Sequence, residues 1–167
     1  MPEPAFAVWI TGLPASGKST ITSCLKQLLA DRGVDVEVLE SDALRRILHD
    51  ESYGEADRGA FYQRMVWIGT LLVKHGVPVI FDATANRQRY RDAARSQIPH
   101  FFEVFVDVPL AACMARDPKG IYRNAACDVP GLHAAYEPPA HPDLVIDGLR
   151  ESPLEAARRI AALLPLK

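Results

Sequence analysis

The sequence predicts an α/β chain of three layers, with helices on both faces of a mainly parallel five-stranded sheet. Three observations carry the expectation. Apolar, β-rich runs alternate with helical patterns along all 167 residues, as in parallel sheets covered on both faces. The first run leads straight into Gly12-Leu-Pro-Ala-Ser-Gly17-Lys18-Ser19, which fits G-x-x-x-x-G-K-[ST] without a mismatch. Carboxylates stand just beyond the second, third and fourth strands, at Glu40 and Asp42, Asp82 and Asp107, and ligands of such sheets bind beyond the carboxyl ends of the strands.

In chain order, residues 5–10 read as a buried strand. The glycines of the following loop let successive backbone N–H groups turn inward on phosphate oxygens. Lys18 supplies a point charge for the β- and γ-phosphates, and the Ser19 hydroxyl can ligate Mg²⁺. Gly12, Leu13, Pro14, Ala15, Ser16, Gly17, Lys18, Ser19 and Thr20 are thus the candidates for holding ATP, with Ser19 the metal candidate. Helix 20–30 follows, with Ile21, Leu25, Leu28 and Leu29 at helical spacing. An ordinary strand-to-helix turn would not need Lys and Ser after its last glycine. Strand, loop and helix in this order define a P-loop NTPase-type three-layer α/β/α fold.

The remaining strands are expected at 34–39, 77–81, 101–106 and 144–146. Helices are expected at about 42–49, 57–75, 87–96, 110–116 and 153–164. Residues 117–142 are rich in Pro, Gly, Ala and His without periodicity. A loop of this length is either functional or disordered, and the functional reading is a lid that keeps water from a reactive phosphate. With no internal repeat or composition break, residues 1–167 are expected to form one domain.

Composition narrows the setting. A net charge of −2 offers no long basic stripe for nucleic acid. No apolar run approaches the ~20 residues of a membrane span, and a signal-peptide pattern is absent. Cys24, Cys113 and Cys127 show no paired spacing; buried inert thiols are expected for Cys24 and Cys113, in a reducing cytoplasm.

Phe105-Val-Asp-Val-Pro-Leu110, then Cys113 and Arg116-Asp-Pro-Lys-Gly-Ile-Tyr122, then Tyr136-Glu-Pro-Pro139 resemble, in order and spacing, the fourth strand and lid of the adenylyl-sulfate kinases. These small P-loop enzymes phosphorylate adenosine 5′-phosphosulfate on its 3′-hydroxyl. The resemblance spans about residues 8–147. Glu40-Ser-Asp42-Ala-Leu-Arg45 and Glu55-Ala-Asp57-Arg58 agree more loosely: the family's Asp-Gly-Asp has become Glu-Ser-Asp, and Asp42 and Arg45 are kept. The resemblance implies ATP-dependent phosphoryl transfer with Mg²⁺ to a small nucleotide, and a homodimer. It implies that Asp42 takes the acceptor's proton or helps place Mg²⁺, that Arg45 and Arg58 grip the acceptor's anionic groups, and that Tyr53 stacks on its base. Lys119 would reach the acceptor or the transferring phosphate when the lid closes, and Arg116 would lie near ATP.

Four departures fall on the acceptor side. Phe61 stands for an Asn, Gln63 and Arg64 for paired arginines, residues 82–87 for Ile-Ser-Pro, and Val129-Pro-Gly-Leu-His133 for Phe-Thr-Gly-Ile-Asp. Transfer from ATP is therefore better supported than the identity of the acceptor. Another nucleotide-linked acceptor, such as a phosphoramidate, is the alternative; a regulatory nucleotide-binding protein is a third reading, against which the retained Asp42, Arg45, Arg58 and lid residues weigh.

Several residues admit two readings. Asp42 is also a suitable helix cap, and a cap and a catalytic role are compatible. Asp82 either contacts Mg²⁺ or an acceptor hydroxyl, or caps the helix at 87–96. Arg87, Arg89, Arg91 and Arg95 form a basic run of the kind usually found on a solvated helix face; Arg87, nearest the strand, is the one set to bind an anion. Phe61 and Trp67 are expected in the core, and His133 and His141 in neutral loop roles.

Overall fold

A computed structural model describes residues 5–124 and 128–166; Cys127 lies outside the described residues. Strands β1 (Ala7–Thr11), β2 (Glu37–Glu40), β3 (Val79–Asp82), β4 (Phe101–Asp107) and β5 (Leu144–Asp147) form one sheet in the order β2-β3-β1-β4-β5. Every pairing is parallel. Helices α1 (Lys18–Ala30), α2 (Ser41–Leu48), α3 (Glu55–Lys74), α4 (Gln88–Gln97), α5 (Leu110–Arg116) and α6 (Pro153–Leu163) connect the strands and close the chain. All eleven expected elements are present, with shifted ends.

Two of the shifts share a cause. Helices α1 and α3 each end on a glycine in the left-handed region, Gly33 at φ 77° and Gly76 at φ 85°, which suits a residue without Cβ. The next residue then turns its N–H back into the helix: Val34 donates to Leu29 O at 2.9 Å and Val77 to Leu72 O at 3.0 Å. Residues that read as strand starts are thus used to stop helices, and β2 and β3 begin later. Helix α6 opens on a reciprocal cap, with the Ser152 hydroxyl accepting from Glu155 N and the Glu155 carboxylate accepting from Ser152 N.

Period-two alternation along β1 feeds two cores. Val8 and Ile10 join Ile21, Leu25 and Leu29 of α1 and Ala157 and Ile160 of α6 on one face. Ala7 and Trp9 join Phe61, Met65 and Val66 of α3, together with Tyr90 and Ala94 of α4, on the other. The Trp9 ring stacks on Phe81 at 4.5 Å, and its N–H donates to Ala83 O at 3.1 Å. Gly69 on α3 makes room for the same Phe81 ring: a Cβ there would lie 2.6 Å from Phe81 Cε1. Gly69→Ala is therefore expected to destabilise the fold by about 1–3 kcal/mol through overpacking, read by urea denaturation.

Two expectations about side chains are corrected. Phe61 is buried as expected, but Trp67 is 62 % exposed, because Phe61, Tyr62, Met65, Val66 and Gly69 define the buried stripe of α3 and position 67 lies off it. The arginine run on α4 is not uniformly a solvated face. Arg91 is fully buried and its Nε donates to Glu103 Oε1 on β4 at 2.6 Å. Its other nitrogens donate to Ala85 O, to Gln88 Oε1 and to Glu137 O. Of the cysteines, Cys113 is buried and Cys24 half-buried, both as free thiols.

Candidate active site

The carboxyl ends of β1, β2 and β3 bring the loop and the acidic residues together because the strands are in register, with Glu40 opposite Asp82 and Asp82 opposite Ile10. Gly12 is required by close approach: a Cβ on it would meet Val106 O at 2.7 Å and Ser16 Oγ at 2.8 Å. Gly17, at φ 101°, turns the chain into α1. Lys18 folds back over the loop, its Nζ donating to Gly12 O at 3.0 Å and Leu13 O at 2.9 Å. Burial lowers the Lys18 pKa, opposed by the charges of Asp82 and, more weakly, Cys113 and Asp42. The Ser16 hydroxyl is buried in the loop with no partner among the described residues.

A cleft of about 540 Å³ runs from Pro14, Ala15, Ser16, Gly17, Lys18, Ser19 and Thr20 to Gly148, Leu149 and Pro153. Arg116 forms part of its wall, with Nη2 donating to Gly148 O at 2.9 Å and Nη1 to Ser16 O at 3.5 Å. Tyr122, in the segment expected to form a lid, fastens to the loop by donating its hydroxyl to Pro14 O at 2.8 Å. Gly12 and Leu13 do not line the cleft; they present the carbonyls that hold Lys18.

A second cleft, about 820 Å³, is lined by Arg45, Tyr53, Arg58, Tyr62, Val129 and Pro130, among others. The two clefts share Pro14, Ser41, Asp42, Thr84, Lys119 and Ile121. Lys119 Nζ lies 3.1 Å from Asp42 Oδ2 and 3.8 Å from Glu40 Oε1. Burial opposes the charge on Lys119, but the hydrogen bond and charge of Asp42 outweigh it, and the Lys119 pKa is raised. Glu40 is pushed up by burial and by the neighbouring Asp42. Asp82 is buried at the end of β3, and burial raises its pKa against the pull of Lys18 and of the nearby Ser19 hydroxyl.

The two predicted acceptor arginines differ in what they already hold. Arg45 Nη1 donates to Asp50 Oδ1 at 3.2 Å and to Ser52 O at 3.0 Å. Its guanidinium also lies between the rings of Phe61, 3.9 Å from the centroid, and Tyr53, at 4.5 Å. Asp50 in turn takes Arg64 at 3.0 Å. Arg58 is 94 % buried, since 6 % is exposed, yet its partner is a neutral carbonyl, Asp128 O. Among the described residues no carboxylate meets its charge.

Arg87 lines neither cleft. It pairs with Glu55 at 3.3 Å and Glu137 at 3.0 Å, because the loop after β3 carries it outward to the start of α3 and the far end of the lid. That far end is clasped to the same loop. Asn86 donates from its side chain to Ala135 O at 2.9 Å, Glu137 N donates to Asn86 O at 2.8 Å, and Gln88 N donates to the Glu137 carboxylate at 2.7 Å. Tyr136 is half-buried, desolvation pushes its pKa up to about 12, and its hydroxyl lies 3.0 Å from Thr11 Oγ1. His133 and His141 are exposed. Sequence reasoning missed Leu149 and Pro153 in the first cleft and His49 and Ile121 in the second. Leu149 and Pro153 follow β5, so the rule that found residues beyond the other strands would have found them too.

Comparison with known proteins agrees with this geometry. The chain matches the adenylylsulphate kinase family model over residues 4–147. It is 38 % identical to an adenylyl-sulfate kinase of Synechococcus sp. (strain JA-3-3Ab) over 150 residues, covering 87 % of this chain and 85 % of that one. It is 37 % identical to an adenylyl-sulfate kinase of Pseudomonas aeruginosa, covering 94 % and 84 %. The structure superposes on the Mycobacterium tuberculosis APS kinase in complex with AMPPNP and APS, with a TM-score of 0.91, 34 % identity and 98 % of each chain covered. Matched over residues 4–147 by the family model and by relatives over most of its length, this chain belongs to the adenylylsulphate kinase family.

Proposed function

We propose that the chain transfers the γ-phosphoryl group of ATP to the 3′-hydroxyl of adenosine 5′-phosphosulfate, giving 3′-phosphoadenosine 5′-phosphosulfate and ADP. The observation that carries the reading is the meeting of the two clefts at Asp42 and Lys119. Residues 14–20 and Arg116 hold ATP in the first cleft. In the second, Arg58 takes the acceptor's anion, Tyr53 offers a ring for its base, and Arg45 holds Tyr53 in place. Asp42 then faces the acceptor hydroxyl and accepts its proton as the oxygen attacks phosphorus. Lys119 leaves Asp42 for the transferring phosphoryl group, which frees the carboxylate as it neutralises the oxygens. The segment 117–142 acts as the lid that excludes water.

The donor set fits Mg²⁺. Ser19 is exposed in the first cleft, and no group of three metal-binding side chains exists among the described residues. An ion held mainly by phosphate and water oxygens with one or two protein oxygens is the Mg²⁺ pattern. Ser19 would hold it, and the ion would spread the charge of the β- and γ-phosphates.

Coupled measurement of ADP release tests the reading: turnover should depend on adenosine 5′-phosphosulfate, and turnover with other acceptors alone would overturn it. A second reading, another nucleotide-linked acceptor, is favoured by the apolar Val129 and Pro130 in the lining of the second cleft, where the resemblance implies Phe and Thr; a panel of acceptors separates the two. Arg58→Gln is expected to raise the acceptor KM about 10- to 100-fold by removing a charge-assisted contact, with the ATP KM unchanged. An unaltered acceptor KM would remove Arg58 from its assigned place. The free thiols of Cys24 and Cys113 support a reducing, cytoplasmic setting. No helix among the described residues is long and apolar enough to cross a membrane. A homodimer is supported by Trp67 and Leu71, exposed one turn apart on α3, and sedimentation tests it.

A further inference from the structure

Tyr62 is a buried polar side chain of the second cleft to which the transfer step, as derived above, gives no role. It is 6 % exposed and lines that cleft. Its ring is held by its neighbours, stacked on Tyr90 at 4.8 Å and edge-on to Phe61 at 5.2 Å, so the hydroxyl has little freedom to swing. Two of the acceptor-side departures meet at this residue. Phe61, which stands for an Asn, precedes it, and the loop that stands for Ile-Ser-Pro reaches its hydroxyl through Ala85.

The hydroxyl is engaged on one side only. The backbone N–H of Ala85 donates to Tyr62 Oη at 3.1 Å. Ala85 does so from the left-handed region, at φ 43°, a conformation that a residue with a Cβ keeps only when its surroundings impose it. A phenolic hydroxyl has a proton to give as well as lone pairs that receive. With a lone pair facing Ala85, the proton remains to be placed, and among the described residues no acceptor takes it. A buried donor without a partner is costly, so the completing acceptor is sought in the cleft. Burial pushes the Tyr62 pKa up, against the Ala85 hydrogen bond and the charges of Arg45 and Arg58. The proton therefore stays on the oxygen at neutral pH.

Arg58 identifies the partner. It lies one helical turn before Tyr62 on α3, the spacing at which side chains share a face, and lines the same cleft. Among the described residues its buried guanidinium meets only the carbonyl of Asp128. We propose that the Tyr62 hydroxyl is a specificity-determining donor for the acceptor, giving its hydrogen bond to an oxygen of the anionic group that Arg58 holds. The cation supplies attraction and the hydroxyl supplies direction. An acceptor with no oxygen at that place leaves the phenol unpaired, and a site built to make a hydrogen bond discriminates against a ligand that cannot complete it. Phe61 takes no such part, since its ring lies against the Arg45 guanidinium. The polar group that the resemblance places at position 61 is thus supplied one residue later.

The inference rests on the reading of the second cleft as the acceptor site. Steady-state kinetics of Tyr62→Phe, with thermal melting alongside, test it. The KM for adenosine 5′-phosphosulfate should rise about 10- to 100-fold, the loss of a hydrogen bond to a charged group, while the ATP KM stays within about threefold of wild type. Adenosine keeps the base and ribose but carries no anionic group; as a competitive inhibitor against the acceptor, its Ki should also stay within about threefold. In the Arg58→Gln background the same substitution should cost less than about threefold, because the anion is no longer held beside the hydroxyl. If Tyr62→Phe does not melt cooperatively, Tyr62→Met, whose flexible chain fills the space of the ring, carries the same comparison. An unaltered acceptor KM overturns the proposal. So does an equal loss for adenosine, which would make Tyr62 a prop of the cleft wall through Ala85. A wild-type protein that turns over no adenosine 5′-phosphosulfate would overturn the acceptor reading and the proposal together.

Discussion

Lys18→Ala is expected to lower kcat by about 10²- to 10³-fold, the usual loss on removing one preorganised stabiliser of transition-state charge. The Lys18 ammonium is buried and positioned before any phosphate arrives, held at 3.0 and 2.9 Å by Gly12 O and Leu13 O. Those carbonyls set its place without neutralising it, so a phosphate oxygen that takes their role gains a full counter-charge in a site of low dielectric. The substitution removes charge from the donor side alone. Asp42, Lys119 and Arg58 keep their surroundings, and the acceptor KM should change little. Steady-state kinetics with both substrates varied, alongside thermal melting, make the check. A kcat within threefold of wild type in a folded variant would sink the assignment of Lys18.

The second large effect falls on stability. Arg91→Met, and Glu103→Gln at the other end of the pair, should each cost about 3–5 kcal/mol, because breaking a buried ion pair leaves the remaining charge short of its partner, Glu103 then keeping only Arg95 at 3.5 Å. In a domain of this size the midpoint should fall by about 6–20 °C. Arg91 is fully buried and Glu103 is 2 % exposed. The guanidinium also serves Ala85 O, Gln88 Oε1 and Glu137 O, so four parts of the chain lose a shared partner. Arg91→Met combined with Glu103→Leu should recover part of the loss, since no buried charge then stands alone. Urea denaturation of the two single variants and the double variant decides it. Single losses below about 1 kcal/mol, the range of an exposed pair, would show that Arg91 is solvated after all.

What the sequence disclosed depended on how local the determining contacts are. The phosphate loop was legible because its eight residues carry both the backbone geometry and the chemistry, with a strand before and a helix after. The alternation of elements was legible for the same reason. Arg91 was not, since nothing within α4 distinguishes it from Arg87, Arg89 and Arg95; its burial is decided by Glu103 on another element. The trace of that pairing was the acidic residue in the apolar run of β4, between Phe102 and Val104. Arg45 was legible as a basic residue beyond a strand, but its tie to Asp50 depends on the path of the loop joining α2 to α3. Trp67 could have been placed correctly. The buried positions 61, 62, 65, 66 and 69 recur with helical period, and residue 67 falls on the opposite side.

The segment 117–142, proposed above as the lid, is moored at two ends. At the near end the buried Asp117 carboxylate accepts the N–H groups of Tyr122, at 3.2 Å, and Arg123, at 3.0 Å. At the far end lies the clasp of Asn86 and Gln88 on residues 135–137. Residues 117–123 and 135–137 are thereby tied to the site by hydrogen bonds before a substrate arrives, so little of the free energy of binding is needed to order them. The free energy of acceptor binding then goes to aligning the hydroxyl with the phosphorus rather than to ordering these two stretches.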